Sequence, residues 1–190
     1  MRCAPAELTD RAPPPIVAAM ERARRWFPIP LVLLALACDR EDARAPAAEA
    51  AWPEGLFGSA APAGSEPVAA ARAAARPGAD VVLRGRIGGR SKPFAEGRAV
   101  FQIVDPSLEP CPPDEGCPTP WDYCCMTPEE IAGHSATVEV VGADGAVLAR
   151  TLRGAHGLEP SREVIVAGKV RSTDAGLVVD ATTIHVVGGG

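Results

Sequence analysis

Seven prolines stand between Pro106 and Pro128, and they share that span with Cys111, Cys117, Cys124 and Cys125. Each proline fixes its own φ and removes a backbone donor, so the span can be neither a continuous helix nor a central strand. It must be an irregular loop that takes its rigidity from elsewhere. Trp121 and Tyr123 are expected to supply a small apolar core for it. The loop ends in a helix start: Thr127 is placed as N-cap, Pro128 at the first helical position, and Glu130 completes a Thr-x-x-Glu capping box. Met126 and Ile131 hold the positions of a hydrophobic staple, and Gly133 supplies the stop.

The four cysteines permit three pairings, of which the one with a Cys124–Cys125 bond strains disulfide geometry. That leaves 111–124 with 117–125, or 111–125 with 117–124. Structural disulfides are the expectation, because the leader described next directs the chain to a compartment where disulfides persist. A crosslink closing a loop of this length contributes about 3 kcal/mol in the chain-entropy picture. The alternative is a mixed metal site drawing on Cys111, Cys117, Cys124 and Cys125 with Asp114, Asp122 or His134, without the paired C-x₂₋₄-C arms of ordinary zinc sites. Thiol redox chemistry is a further use, but the loop has no C-x-x-C and its carboxylates oppose thiolate formation.

Residues 1–37 form the leader. From Met20, taken as the true start, Arg22, Arg24 and Arg25 make a basic end and residues 26–37 a short apolar core, as in a secretory signal. That core is too short for an ordinary membrane-spanning helix. Ala35-Leu36-Ala37-Cys38 resembles the lipobox of bacterial lipoproteins, a resemblance confined to the leader. It implies lipidation at Cys38, a membrane partner through that anchor, and a chain facing the periplasm. The family usually carries Leu where Ala35 stands. Ala35-Leu36-Ala37 also satisfies the rule for ordinary secretory cleavage, which leaves a soluble periplasmic product as the alternative.

Residues 38–78 turn to Ala, Pro, Gly and scattered charge, which reads as a disordered tether with too little apolar surface to offset its ordering entropy. A flexible chain of this length reaches about 35 Å. A short helix is placed at 66–76, ended by Pro77-Gly78. Trp52, Leu56 and Phe57 read as an incidental patch, or else as a small docking motif.

Residues 79–190 carry the strand signals. Leu83 and Ile87 alternate with Arg84 and Arg86, and a second strand covers 98–104. Strands at 137–141 and 146–150 flank an Asp144-Gly145 turn, and the last two strands start at Glu163 and Leu177. A change of phase near Thr182-Thr183 predicts a bulge. Short strands with Gly85 and Gly168 at mid-strand predict a small, strongly bent sheet closing into a barrel.

The pattern Val82-x-x-Gly85-x-Ile87, then 99–105, then Val164-x-Val-x-Gly168-x-Val170 and Leu177-Val-x-Asp-Ala-x-x-Ile184, resembles small bacterial OB-fold domains. That resemblance spans most of 79–190 and implies a mostly β, five- or six-stranded OB-like barrel with one short helix, elaborated by a long cysteine loop at 105–135. The Phe-x-Ile-Val-Asp-Pro-Ser and Cys-Pro-Thr-Pro-Trp-Asp-Tyr-Cys-Cys runs also resemble uncharacterised exported bacterial proteins, which implies no activity.

Within 79–190, ten Lys or Arg against fifteen Asp or Glu give a net charge of −5. That balance argues against nucleic acid, which OB folds bind through a positive groove. From Ala99 to Ala149 there is no Lys or Arg; this acidic stretch and the basic group Arg84 to Arg98 before it read as solvating opposite parts of the surface, or else the acidic loop attracts a cation or a basic partner. His134, His156 and His185 lack a neighbouring nucleophile or carboxylate in a recognised catalytic spacing. The chain is therefore expected not to be an enzyme and to need no cofactor. The expected role is that of a tethered binding module whose disulfide-pinned loop presents Trp121, Asp122 and Tyr123 to an envelope protein or another ligand. Metal handling or thiol redox is the alternative, and nucleic-acid binding the third.

Overall fold

The computed structural model describes residues 51–112 and 116–188. The leader, Cys38, residues 39–50 and Asp114 lie outside them. In chain order the elements are β1 (Glu66–Pro67), α1 (Val68–Ala74), β2 (Asp80–Ile87), β3 (Val100–Val104), α2 (Pro128–Gly133), β4 (Ser135–Glu139), β5 (Glu163–Ser172) and β6 (Leu177–Val186).

β2 pairs antiparallel with β3 and β5, β3 with β4, and β5 with β6, while β4 and β6 run parallel. The ring β2-β3-β4-β6-β5-β2 is the expected OB-like closure. Alternation sets its inside: Leu83, Ile87, Phe101, Ile103, Val138, Val164, Val166 and Val179 point into one core, and Arg84 stays exposed. The two mid-strand glycines allow the tight curvature. A Cβ on Gly85 would stand 2.9 Å from the Val104 carbonyl oxygen, and one on Gly168 would overlap the Asp180 carbonyl oxygen. The predicted bulge is present: Ala167 faces Thr183 and Gly168 faces Ala181, so Thr182 is left unpaired.

The packed domain begins well before residue 79. β1 lies parallel to β2, with Glu66 opposite Leu83, on the strand edge that the short β2–β3 pairing leaves free. α1 forms within the expected 66–76 and buries Val68 and Ala71 in the barrel core. Leu56 is 1% exposed, and its carbonyl accepts the Ile184 N–H at 2.6 Å. Phe57 bridges to Ile184 along β6 beyond the end of β4 and stacks on His156 with centroids 3.9 Å apart. Trp52 meets Phe57 edge-on and lies under the Arg150 guanidinium. A disordered tether over all of 38–78 is thus corrected for residues 51–78, and Trp52, Leu56 and Phe57 are neither an incidental patch nor a free docking motif. A few large apolar side chains suffice there because the barrel supplies the other half of each contact.

Two further expectations are refined. The Asp144-Gly145 turn forms, with the Gly142 N–H on the Ala146 carbonyl, but beyond it only Val147 bridges to Val141 and no strand covers 146–150. α2 has its capping box, with Thr127 and Glu130 bonded reciprocally. Its C-cap is His134 rather than a left-handed Gly133.

Candidate functional site

The loop between β3 and α2 lies against the outer wall of the barrel, and burial holds it there. Val104, Leu108 and Tyr123 form a second apolar cluster, with Met126 and Ile131 packed against it. Tyr123 is 1% exposed, and its hydroxyl accepts from Arg86 Nη1, which also donates to the Leu108 carbonyl. The expectation that Tyr123 meets a ligand is therefore corrected: its ring is the loop's anchor. Trp121 is half-buried, its indole N–H donating to the Ser91 carbonyl at 3.1 Å, while its own carbonyl accepts the Gly89 N–H at 2.8 Å.

Asp105 fastens the start of the loop. It is 3% exposed and accepts backbone N–H groups from Ala69 at 2.7 Å and Ser107 at 2.9 Å. Burial pushes its carboxyl up, but the N–H bonds from Ala69 and Ser107 outweigh that and hold it below the usual carboxylate range. Pro67, the N-cap of α1, offers no side-chain cap, so Asp105 caps that helix from 36 residues away. Sequence analysis places Asp105 only where the second strand gives way to the cysteine loop, and nothing local marks its partner.

The chain then doubles back. The Cys111 N–H donates to the Pro120 carbonyl, which lays Cys111 beside the turn that follows. Pro120–Asp122 is a single 3₁₀ turn, and Tyr123 next to it has φ 60°, so Cys124 is directed back over Asp122. Sγ of Cys124 ends 3.4 Å from Sγ of Cys111 and 3.5 Å from Sγ of Cys117. Asp122 is oriented by two bonds: Oδ2 accepts from the Thr119 hydroxyl at 2.6 Å and Oδ1 from the Cys124 N–H at 3.0 Å.

Cys111, Cys117, Cys124 and Asp122 thus offer three sulfurs and a carboxylate oxygen, all within 4.8 Å of one another. Cys111 is buried, Cys117 and Asp122 are half-buried, and Cys124 is exposed. Cys125 is also exposed; its sulfur lies 3.9 Å from Cys111 but outside that quartet. His134 is not brought in, since its Nδ1 faces the Glu130 carbonyl at 2.9 Å.

No disulfide joins Cys111, Cys117, Cys124 or Cys125. Their separations are contacts between sulfurs, far beyond the roughly 2.05 Å of a disulfide bond, so neither expected pairing is present. The Cys124 thiol bonded to the Cys111 sulfur, with the Cys125 N–H also on it, holds Cys111 below the usual thiol range. The same contacts, first that with Cys111 and then that with Cys117, push Cys124 up.

No protein-family model matches the chain, and a search of the curated proteins finds no similar sequence.

Proposed function

We propose that the protein is an envelope-tethered cation-binding module, in which Cys111, Cys117, Cys124 and Asp122 hold a soft or borderline cation such as Zn²⁺. The observation that carries this reading is the spacing of the sulfurs. A tetrahedral zinc with Zn–S bonds of about 2.3 Å separates its sulfurs by roughly 3.8 Å, and the two contacts within the quartet, 3.4 and 3.5 Å, need only a small expansion to meet it. Thiolates select such cations over Mg²⁺ or Ca²⁺. The bonds from Thr119 and the Cys124 N–H to Asp122 are the outer contacts that orient a ligating carboxylate. A stretch without Lys or Arg from Ala99 to Ala149 adds a field that favours a cation.

Cys124 at the surface gives a cation access, and the three-sulfur, one-oxygen set leaves one vertex on a weaker ligand. Such a site suits capture and release better than permanent structure. In this reading the chain is exported and anchored by a lipid at Cys38, so that the site faces the periplasm. Labelled palmitate incorporated by the wild type and lost in Cys38→Ala would support the anchor. Equal labelling of both would remove it.

A second reading is favoured by the position of Cys124 between Cys111 and Cys117. Exchange with an oxidised thiol partner in the periplasm, whose own disulfide leaves as two thiols, would let Cys124 close a bond with either, giving a disulfide-pinned loop with Trp121 partly exposed for a partner. Metal content and free-thiol count of protein purified from the envelope separate the two. Bound zinc with four alkylatable thiols after its removal supports the first, and blocked thiols without metal support the second.

A further inference from the structure

Cys125 stands at the edge of the cysteine quartet without belonging to it. Its sulfur lies 3.9 Å from Sγ of Cys111, and its N–H donates to that same sulfur, so the two residues face each other across the doubled-back loop. The pair divides two properties between its members. Cys125 is exposed and outside the quartet, whereas Cys111 is 4% exposed and inside it. A reagent in solution reaches Cys125 and not Cys111, yet a bond passed on from Cys125 to the sulfur it touches falls on a ligand of the proposed site.

Thiols exchange with disulfides by attack of one sulfur on another, and access helps to decide which thiol begins. Cys124 is exposed as well, but its sulfur belongs to the quartet and lies against Cys111 and Cys117 at 3.4 and 3.5 Å. A sulfur that shares its lone pair with a cation is a poorer nucleophile than one that does not. Cys125 is the exposed sulfur outside the coordination set. Position also selects the second step. A bond from Cys125 to the adjacent Cys124 would strain disulfide geometry, whereas Cys111 has only to close from 3.9 Å to the roughly 2.05 Å of an S–S bond.

We infer that Cys125 is the entry point for thiol–disulfide exchange with a disulfide-bearing partner, and that this exchange opens the cation site. The inference rests on the cation reading of the quartet. Cys125 as thiolate attacks one sulfur of the partner's disulfide; that S–S bond breaks, and the sulfur displaced takes up the proton that Cys125 gave. Cys111 then attacks the Cys125 sulfur, and the partner's second sulfur leaves and takes a proton from solvent. Two protein sulfurs are oxidised to a Cys111–Cys125 disulfide, the partner's disulfide is reduced to two thiols, and Cys111 is withdrawn from the cation. The set left behind, Cys117, Cys124 and Asp122, is half-buried or exposed. Water competes for the cation there, and the buried sulfur that held it is gone.

The test loads the reduced exported chain with one equivalent of Zn²⁺, measures the zinc held, and then adds oxidised glutathione at neutral pH. A chromophoric zinc indicator follows release, and peptide mass spectrometry maps the first disulfide formed. The wild type is expected to release its zinc as a Cys111–Cys125 bond appears. Cys125→Ser should take up zinc as the wild type does and release it more slowly, by about tenfold or more, the effect of losing the accessible attacking thiol. A full zinc load with equal release rates in the two chains, or a first disulfide joining Cys124 to Cys111 or Cys117, overturns this inference and leaves the cation reading standing. A wild type that takes up no zinc before the oxidant is added overturns the cation reading itself, and the release mechanism with it.

Discussion

The carboxylate of Asp105 accepts the backbone N–H of Ala69 at 2.7 Å, joining the start of the cysteine loop to the first turn of α1. With the Ser107 N–H on its other oxygen, this buried group ties the segment before the barrel to the loop beside it. Asp105→Ala removes the cap and strands both N–H groups. A loss of about 2–3 kcal/mol is expected, measured by urea unfolding.

The same residue gives a pH dependence whose sign is determined. The folded state holds the Asp105 carboxyl below its ordinary range, so the unfolded chain takes up a proton first as pH falls. Its contribution is complete above the ordinary aspartate range and is lost as pH drops through the lowered folded value. Asp105→Asn should flatten the acid limb of a stability–pH profile relative to the wild type and leave its slope near neutrality unchanged.

Residues 51–78 are expected to behave as part of the domain. Leu56→Ala deletes a fully buried side chain and should cost about 2–5 kcal/mol. A chain beginning at Ala79 should lose still more, since Leu56, Val68 and Ala71 leave the core together. Differential scanning calorimetry reads both effects.

The reach of sequence reasoning differs between the barrel and what covers it. Strand alternation, Gly85, Gly168, the bulge at Thr182 and the Thr127–Glu130 capping box are local patterns, and each is legible because period and spacing carry it. The packing of Leu56 on Ile184 and of Phe57 on His156 is not, because isolated apolar residues in an Ala/Pro-rich stretch have no period, and their partners lie about a hundred residues on. Tyr123 is legible as part of the loop's apolar core; that its burial also removes it from display is not, because its partner, Arg86, is 37 residues away on β2.

The cysteine quartet sits between these cases. Its residue types are visible in the sequence, but its geometry comes from the Cys111–Pro120 bond and the left-handed Tyr123, neither of which has a spacing signature. The same geometry brings Asp122 into the quartet and leaves Cys125 out, while His134 is held on the Glu130 carbonyl.

Gly168→Ala should destabilise the barrel although it adds only one methyl group. The added methyl overlaps the Asp180 carbonyl in the neighbouring strand, where backbone must move to admit it. A loss of about 1–3 kcal/mol, or more if the β5–β6 register cannot adjust, is expected from thermal unfolding.

Native mass spectrometry of the reduced chain, reconstituted with one equivalent of Zn²⁺ and compared across single-cysteine variants, tests the proposed cation site most directly. One zinc per chain is expected for the wild type, Cys125→Ser and His134→Ala, with binding lost or weakened by orders of magnitude in Cys117→Ser and Cys124→Ser. Zinc-free wild type under these conditions, or binding that survives in Cys117→Ser and Cys124→Ser but fails in Cys125→Ser, would contradict the assignment of the quartet.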